Sequence, residues 1–334
     1  MPRVVRVDPS APAGEIVAEA AGVLARGGLV GLPTETVYGL AALGTDAAAV
    51  RRVFAAKGRP DTHPLILHVD SEAMAERLVA EWPRAARALA AALWPGPLTL
   101  VLPRSPLVPA EVTGGGPTVA LRMPAHPVAL AVIGALGAPV AAPSANRYQT
   151  VSPTRAEHVV RSLGDAVDLV LDAGPCRHGL ESTVVDLSAR PPRVLRPGAI
   201  RMAALRAVVP DVAVGAVTAE AGARRSPGTD ARHYAPAGRV VWVQNAHDAL
   251  EAAGRASAAG ERPFVVGRSI DPGALGLRGR ALGDEPDAYG AALYDALHEA
   301  DAEGASVVVI ETVPEGEAWL AVRDRLTRAG GSRA

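Results

Sequence analysis

The sequence predicts an α/β protein with two domains, and three observations support this fold class. A chain of 334 residues exceeds the size that a single hydrophobic core usually supports. Short apolar runs alternate with helix-like segments as far as about Leu205, a pattern typical of a sheet covered by helices. The alternation then fades and resumes over a shorter stretch. We therefore expect domains at residues 1–207 and 238–334, joined by a linker at residues 208–237.

The first two predicted helices have clear start and stop residues. Ala13 to Arg26 carries apolar residues at helical spacing and is followed by two glycines. The next helix begins after Asp46, a favourable N-cap, and runs to about Ala56. Gly58 is expected to end it, because glycine readily adopts the left-handed conformation that closes a helix. Lys57 is therefore expected in the last turn or just beyond it.

Predicted strands are short apolar runs bounded by turn residues. In the first domain they are Leu29–Leu32, Leu65–Val69, Leu98–Leu102, Val119–Arg122, Pro139–Ala142, Leu169–Leu171 and Thr183–Leu187. In the second domain they are Val240–Val243, Pro263–Val266 and Val307–Ile310, with a last helix over roughly Glu317 to Arg328. Regular patterning is expected to fade between about Met202 and Pro236.

Composition limits the class of protein. The formal net charge is −1, so attraction to nucleic acid or to an anionic membrane through bulk charge is not expected. Apolar stretches such as Val128 to Leu136 fall short of the roughly 20 residues that a membrane-spanning helix needs. The N-terminus lacks the apolar core of a signal peptide. Cys176 is the single cysteine, so neither an internal disulfide nor a cysteine-based metal cluster can form. We expect a soluble, cytoplasmic protein.

The chain holds 34 basic residues, of which only Lys57 is a lysine, in the stretch FAAKGRPDTHPLILHV. Lysine is a compact point charge whereas the guanidinium group is a wide planar fork, so a lone lysine can mark a site where arginine fails. A stray surface lysine in an arginine-rich chain is the alternative. Arg59 lies two residues further on, where a turn could aim both cations into one cleft or where Arg59 merely offsets the helix dipole.

A polar loop follows the predicted strand near Val140. The segment VAAPSANRYQTVSPT holds Ser144, Asn146 and Ser152. Ligands bind at strand ends in α/β sheets, and hydroxyl, amide and backbone N–H groups there can hold phosphate or ribose. Ser152 precedes a proline, so its alternative role is that of a helix N-cap.

A second polar loop, GLPTETVYGL, also follows a predicted strand and lies between two glycines. Its hydrogen-bonding side chains are Thr34, Glu35, Thr36 and Tyr38. Four such groups together suggest a small polar ligand. The alternative is a turn that satisfies its own backbone, as threonine and glutamate often do.

Familiar phosphate and metal patterns are missing from the sequence. Neither GxxxxGK[ST] nor a GxGxxG that opens a helix after a strand occurs, so a phosphate site would have to be built otherwise. The histidines at His63, His68 and His233 are too scattered to argue for zinc. His68 could also be an ordinary exposed residue of its strand.

Eight segments follow one another along the chain: PTETVYGL, KGRPDTHPLILHV, WPGPLTLVL, TVALRMP, APSAN, ESTVVD, VLRPGAI and SPGTDARHYAP. Together they resemble the YrdC-like threonylcarbamoyl-AMP synthase family in its long form, which carries a C-terminal extension. One departure is visible. After APSAN the family usually has a small or aromatic residue and then glycine, whereas here Arg147 is followed by Tyr148 and Gln149.

The resemblance implies a fold and an activity. The fold is a YrdC-like twisted mixed sheet with helices around a concave basic cleft, then a smaller Rossmann-like α/β domain. The activity is that of an L-threonylcarbamoyladenylate synthase, which forms threonylcarbamoyl-AMP and pyrophosphate from L-threonine, bicarbonate and ATP. The product serves the N6-threonylcarbamoyladenosine modification of tRNA and is handed to a tRNA threonylcarbamoyl transferase complex. A weak direct contact with tRNA would suit this role, and no membrane partner is expected.

The resemblance also implies site residues. The reaction centre is formed by Lys57, Arg59, Ser144 and Asn146. The ATP site is lined by Lys57, Arg59, His63, Thr118, Ser144, Ser152, Arg196 and Tyr234. Threonine is held by Thr36, His68, Arg122 and Ala142, with Arg122 as a bidentate fork for the substrate carboxylate. Tyr234 is expected to close over the nucleotide as a lid. Mg²⁺ is implied by the ATP chemistry, although no carboxylate constellation indicates what holds it beyond the phosphates.

Two other functions stay open on the sequence alone. The first is a module that binds double-stranded RNA through Lys57, Arg59 and Arg122, although the near-zero net charge and few aromatic residues count against it. The second is a relative that forms a carbamoyl-adenylate from carbamoyl phosphate on the same fold. The SPG and HYAP segments favour the threonine enzyme over that relative.

Overall fold

A computed structural model describes residues 1–215 and 233–330 of the chain. The described residues form two compact units. The first unit holds residues 1–148, 153–177 and 181–215, and the second holds residues 149–152, 178–180 and 233–330. The SPG motif of the predicted linker, Ser226 to Gly228, lies outside the described residues.

The first unit is built on an 11-stranded sheet in which parallel and antiparallel pairs are mixed. Its strands are β1 (Arg3–Arg6), β2 (Val30–Leu32), β3 (Gly39–Leu43), β4 (Ile66–His68), β5 (Leu98–Pro103), β6 (Thr118–Arg122), β7 (Val140–Ala141), β8 (Leu169–Asp172), β9 (Thr183–Asp186), β10 (Arg193–Arg196) and β11 (Ala213–Val214). Their spatial order is β1-β8-β2-β3-β7-β4-β6-β5-β9-β10-β11. The α/β class and the mixed sheet predicted from the sequence are confirmed.

Eight α-helices accompany this sheet within the described residues. They are α1 (Gly14–Ala25), α2 (Ala47–Lys57), α3 (Glu72–Arg77), α4 (Arg84–Leu93), α5 (Ala110–Thr113), α6 (Pro127–Leu136), α7 (Ala156–Leu163) and α8 (Met202–Val208). Across residues 1–215 and 233–330, no helix is both long and apolar enough to cross a membrane.

The ends of α2 follow from its sequence, as predicted. The Asp46 side chain accepts hydrogen bonds from the backbone N–H groups of Ala48 (2.8 Å) and Ala49 (3.3 Å), which satisfies two free donors of the first turn. Gly58 adopts φ 61° and closes the helix in the left-handed conformation. Lys57 is therefore the last residue of α2, at the point where the chain leaves the helix.

Strand register brings the two predicted polar loops together. In the parallel pair β4–β6, His68 lies opposite Arg122. Strand β7 pairs antiparallel with both β4 and β3, so the loop after β7 and the loop before β3 lie at the same part of the sheet. The backbone N–H of Ala145 donates to the Tyr38 carbonyl oxygen at 2.8 Å, which joins the two loops directly.

The second unit contains a parallel sheet of four strands in the order β12-β15-β13-β14. The strands are β12 (Arg239–Val243), β13 (Pro263–Gly267), β14 (Gly279–Ala281) and β15 (Val307–Glu311). The helices are α9 (Ala246–Ala258), α10 (Pro286–Ala302) and α11 (Leu320–Gly330). Alanines of α9 pack on strand residues such as Val265 and Val309 in a buried cluster, because small side chains allow the helix to approach the sheet closely.

Two local expectations are wrong. The Ser152 side chain is not a helix N-cap, since α7 begins only at Ala156 after Arg155. The stretch after Met202 is more regular than predicted, because α8 and β11 lie there. By contrast, the last predicted helix lies where it was expected, with a 3-10 turn at Glu317–Trp319 that continues directly into α11.

Gln149 adopts a backbone conformation that favours glycine. Its φ is 68°, and within the described residues only Tyr234 among the other non-glycine residues has a positive φ. Gln149 lies in the stretch after APSAN in which the sequence lacks the glycine that the family usually has. The left-handed conformation costs a residue with a Cβ roughly 1–2 kcal/mol. Gln149 therefore adopts this left-handed conformation at an energetic cost.

We expect Gln149→Gly to raise the stability of the protein by up to about 1 kcal/mol and Gln149→Val to lower it by about 1–2 kcal/mol. The Gln149 side chain is exposed, so little packing is lost with it. Thermal and denaturant melting of the full-length variants measure both effects. Gln244→Gly is the matched control, because Gln244 is also exposed and has no positive φ, and it should lower stability. A destabilised Gln149→Gly protein would contradict the account.

Candidate active site

The single lysine is buried and holds the loop that follows β7. Lys57 is 2% exposed, and its Nζ donates to the carbonyl oxygens of Ser144 and Asn146, the latter at 2.6 Å. The Asn146 side-chain Oδ1 lies 3.4 Å from the same nitrogen. The Lys57 carbonyl oxygen in turn accepts from the Tyr148 N–H at 2.8 Å. The end of α2 and the APSAN loop are therefore locked together from both sides.

The contacts explain why this position holds lysine. An ammonium group has three N–H donors in a compact tetrahedral arrangement, and three oxygens converge on Lys57 Nζ. A guanidinium group is planar and larger, with five donors, so it would leave buried donors without acceptors here. Burial, reinforced by the charge of Arg59, lowers the pKa of Lys57 well below its usual range, and the Glu181 carboxylate opposes that shift.

Arg59 and His63 extend this group along the next turn. Arg59 is 8% exposed and its Nη2 donates to the Pro64 carbonyl oxygen at 3.1 Å. The buried His63 ring packs edge-on against Tyr148, with ring centroids 5.5 Å apart. Arg59 is thus a buried cation of the turn that follows α2.

A second buried group surrounds Arg122 at the end of β6. Arg122 Nη1 donates to Thr36 Oγ1 at 2.9 Å. Thr36 Oγ1 lies 2.9 Å from Thr34 Oγ1, and Thr34 Oγ1 donates to the Val37 carbonyl oxygen at 2.6 Å. Because the single Thr34 proton is used on Val37, the Thr36 hydroxyl must donate to Thr34. The proton of each hydroxyl is assigned, and Thr36 presents its oxygen to Arg122.

Arg122 also faces a buried carboxylate. Glu35 Oε1 lies 2.7 Å from Arg122 Nη2, and the two side chains are 7% and 4% exposed. Burial raises the pKa of Glu35, but the charge of Arg122 and nearby backbone N–H groups outweigh burial, so the pKa is lowered overall. In the described part of the chain, neither carboxylate oxygen of Glu35 and neither Nε nor Nη2 of Arg122 forms an aligned hydrogen bond.

His68 lies beside Arg122 in the sheet and is 3% exposed, so its interpretation as an exposed strand residue is wrong. Burial, together with the charge of Arg122, lowers the pKa of His68 to about 3, while Glu35 opposes the shift. His68 is therefore neutral near pH 7. Its Nδ1 is buried without a hydrogen-bond partner among the described residues.

Three further predicted residues lie in the same unit. Arg196 on β10 is buried and donates through Nε and Nη2 to the Ser182 carbonyl oxygen at 3.2 and 3.0 Å. Thr118 is partly exposed at the start of β6. Ala142 is buried, and a Cβ added to Gly39 would come within 3.1 Å of its Cβ, so glycine permits the close approach of the two loops.

The two remaining predicted residues, Ser152 and Tyr234, belong to the second unit. Ser152 is fully buried, and its carbonyl oxygen lies 3.0 Å from His298 Nε2. The Tyr234 ring is 1% exposed, stacks on Tyr294 with centroids 5.6 Å apart and lies 5.2 Å from the Arg325 guanidinium. The roles of Ser152 in the ATP site and of Tyr234 as a lid stay predictions.

The structure thus assembles most of the predicted site in the first unit. One group joins Lys57 to Ser144 and Asn146, and the other joins Arg122 to Thr36. Glu35 is the residue to which the sequence assigned no role, although the loop GLPTETVYGL drew attention to it. Within residues 1–215 and 233–330, no cluster of three or more His, Cys, Asp or Glu side chains could hold a metal ion.

Comparison with known proteins places this geometry in a family. Residues 22–198 match the Sua5/YciO/YrdC family model, whose description is telomere recombination. Residues 200–331 match the model described as the threonylcarbamoyl-AMP synthase C-terminal domain. The chain belongs to the Sua5/YciO/YrdC family. The resemblance seen in the sequence is confirmed.

Relatives match almost the whole chain. The threonylcarbamoyl-AMP synthase of Pyrococcus abyssi is 40% identical over 322 residues, which is 94% of each protein. That of Bacillus subtilis is 35% identical over 95% of this chain and 93% of its own. The crystal structure of Pyrococcus abyssi Sua5 complexed with L-threonine superposes with a TM-score of 0.91 and 38% identity, covering 98% of this chain and 97% of the other.

The burial of neutral His68 should make the protein less stable at acidic pH. The pKa of His68 is about 3 in the fold against 6.5 for the free group, so the unfolded chain binds more protons between these values. Stability should therefore fall as the pH drops below about 6.5, by about 2 kcal/mol at pH 5 relative to pH 7 from this group alone.

His68→Gln should flatten the stability profile between pH 6.5 and pH 4.5, measured by denaturant melting at each pH. The same change at the exposed His247 is the matched control and should leave the profile unaltered. Parallel profiles for wild type and His68→Gln would show that His68 is not held neutral.

Proposed function

We propose that the protein is an L-threonylcarbamoyladenylate synthase, which forms threonylcarbamoyl-AMP and pyrophosphate from L-threonine, bicarbonate and ATP. The observation that carries the proposal is the buried Arg122 guanidinium, whose Nε and Nη2 lack aligned acceptors among the described residues. Such a pair of donors fits a carboxylate in bidentate fashion. The names of the relatives and the threonine complex of the Pyrococcus abyssi protein support the choice of substrate.

The reaction would begin with the amine of threonine and bicarbonate, which give N-carboxy-threonine and water. A carboxylate oxygen of this carbamate attacks the α-phosphorus of ATP, and the bond to the β-phosphate oxygen breaks to release pyrophosphate. Negative charge accumulates around the phosphorus, so preorganised cations stabilise the transition state. Lys57 and Arg59 supply them, and Ser144 and Asn146 orient the loop beside them.

Threonine would be held at the other buried group. Arg122 would bind the threonine carboxylate, while Thr36, neutral His68 and Ala142 would surround the rest of the threonine molecule. Thr36 fixes the orientation of the guanidinium, because its oxygen accepts from Arg122 Nη1. Since the Arg122 group and the Lys57 group are joined through the Ala145–Tyr38 hydrogen bond, the amine and the phosphates would meet between them.

The ATP site would be completed by His63, Thr118, Arg196, Ser152 and Tyr234. Mg²⁺ is expected with ATP, but the described residues do not offer it a set of protein ligands, since the buried Glu35 already faces Arg122. Transfer of the product to a tRNA threonylcarbamoyl transferase complex completes the proposed role.

Pyrophosphate release from ATP should require both L-threonine and bicarbonate. Threonine should be preferred over serine, because the pocket around Thr36 and Ala142 can enclose the methyl group, which is worth about 1–3 kcal/mol. Steady-state kcat/KM values for the two amino acids measure the preference. Carbamoyl phosphate should not replace threonine and bicarbonate. Equal kcat/KM values for serine and threonine would show that the pocket does not enclose the methyl group. Turnover with carbamoyl phosphate alone would favour a carbamoyl-adenylate-forming enzyme.

Lys57→Arg should lower the turnover number by at least about tenfold, a barrier change of roughly 1.4 kcal/mol, although it conserves charge. A guanidinium cannot satisfy the three oxygens that now converge on Lys57 Nζ, so the APSAN loop must move. Arg51→Lys, an exposed charge-conserving change on the same helix, is the control and should be neutral. Wild-type kinetics in Lys57→Arg would refute this role.

A further inference from the structure

Glu35 is a buried carboxylate beside Arg122, in a turn that another residue closes. The turn in which it lies is closed by Thr34, whose oxygen accepts from the N–H groups of Thr36 (3.2 Å) and Val37 (3.3 Å) and donates to the Val37 carbonyl oxygen. Thr34 therefore closes the turn. Both oxygens of Glu35 are buried, and the backbone N–H groups of Glu35 and Ala125 help to lower the pKa of this carboxyl group, but none of them forms an aligned hydrogen bond in the described part of the chain.

The ion pair between Glu35 and Arg122 is incompletely hydrogen-bonded. A buried pair offsets its desolvation only when its geometry is good and its other lone pairs and protons are satisfied. Here Oε1 lies 2.7 Å from Nη2 without an aligned hydrogen bond, and Arg122 Nε has no acceptor among the described residues. Arg122 Nε is thus a buried donor without an acceptor, next to an ion pair of imperfect geometry, and this is costly unless a ligand completes the group.

We propose that Glu35 binds the α-ammonium group of the amino-acid substrate while Arg122 binds its carboxylate. The inference rests on the proposed function and adds a residue to the substrate site. A zwitterion carries its negative and positive groups one carbon apart, and Arg122 and Glu35 present the opposite charges side by side. Nε, which has no acceptor among the described residues, and Nη2, whose contact with Glu35 is not an aligned hydrogen bond, match a carboxylate, and the Glu35 oxygens match the N–H donors of an ammonium.

The arrangement also gives the site selectivity for amino acids over other small acids. Without an ammonium group, a carboxylate on Arg122 would lie beside the Glu35 carboxylate, and like charges repel in a buried site. The role of Glu35 is binding. Its carboxyl group, held in the ionised form by Arg122, is a weak base for the ammonium proton.

The test compares L-threonine with (3R)-3-hydroxybutanoate, which has the same skeleton without the amino group. Calorimetric titration of the full-length protein should show that threonine binds at least about tenfold more tightly. Glu35→Gln should weaken the binding of threonine at least about tenfold and should leave the affinity for 3-hydroxybutanoate unchanged or slightly increased. Glu35→Asp keeps the charge and should recover part of the threonine affinity.

Controls separate binding from folding. Cooperative melting and unchanged ATP affinity show that Glu35→Gln is folded, and Glu76→Gln removes an exposed, ion-paired carboxylate and should have no effect. A threonine affinity of Glu35→Gln within about twofold of wild type, or an equal loss for both ligands, would overturn the proposal. If that variant does not fold, equal affinities of the wild-type protein for the two ligands overturn it by themselves. Failure of the proposed function is distinct: the wild-type protein would then release no pyrophosphate with threonine and bicarbonate.

Discussion

Burial of the Lys57 ammonium is the constraint on which the candidate site depends. A charge removed from water must be surrounded by acceptors, and here they are oxygens of Ser144 and Asn146, almost ninety positions further along the chain. Those oxygens converge only when the APSAN loop takes one conformation. The same loop is hydrogen-bonded through Ala145 to Tyr38, so the position of the threonine-rich loop is set by the same contact.

The two buried cations are satisfied to different degrees. Every donor of Lys57 has an oxygen within reach, so Lys57 organises the backbone before any ligand arrives. Of the three Arg122 nitrogens, Nη1 is fixed on Thr36, Nη2 faces Glu35 without an aligned hydrogen bond, and Nε has no acceptor in the described residues. Fixing one edge of a guanidinium holds the other edge in place, which lowers the conformational cost of binding a carboxylate there. Lys57 thus preorganises the loop, whereas Arg122 retains an edge on which a carboxylate can bind.

The sequence predicts the elements that have strong local signals. Asp46 and Gly58 bound α2 as expected, and apolar runs such as Val307–Ile310 became central strands. Two strands that sequence reasoning missed have weak local signals. Strand β3 is the alanine-rich GLAAL, which begins at the end of a polar motif, and β14 is the three-residue edge GRA. Their strand conformation comes from pairing with a neighbour, a tertiary effect that local propensity does not contain.

Prediction of the site reaches a different limit. Residue type and motif order identified Lys57 and Arg122, but not what each one contacts. The partners of Lys57 are mostly backbone carbonyl oxygens, which every residue has and no sequence pattern displays. The role of Glu35 was missed for the opposite reason. Its motif is visible in the sequence, but a carboxylate in a turn usually caps its own backbone. The structure shows that Thr34 closes that turn, so the Glu35 carboxylate is not needed for this purpose. It also shows that Glu35 Oε1 lies 2.7 Å from Arg122 Nη2, which places the carboxylate at the proposed threonine site.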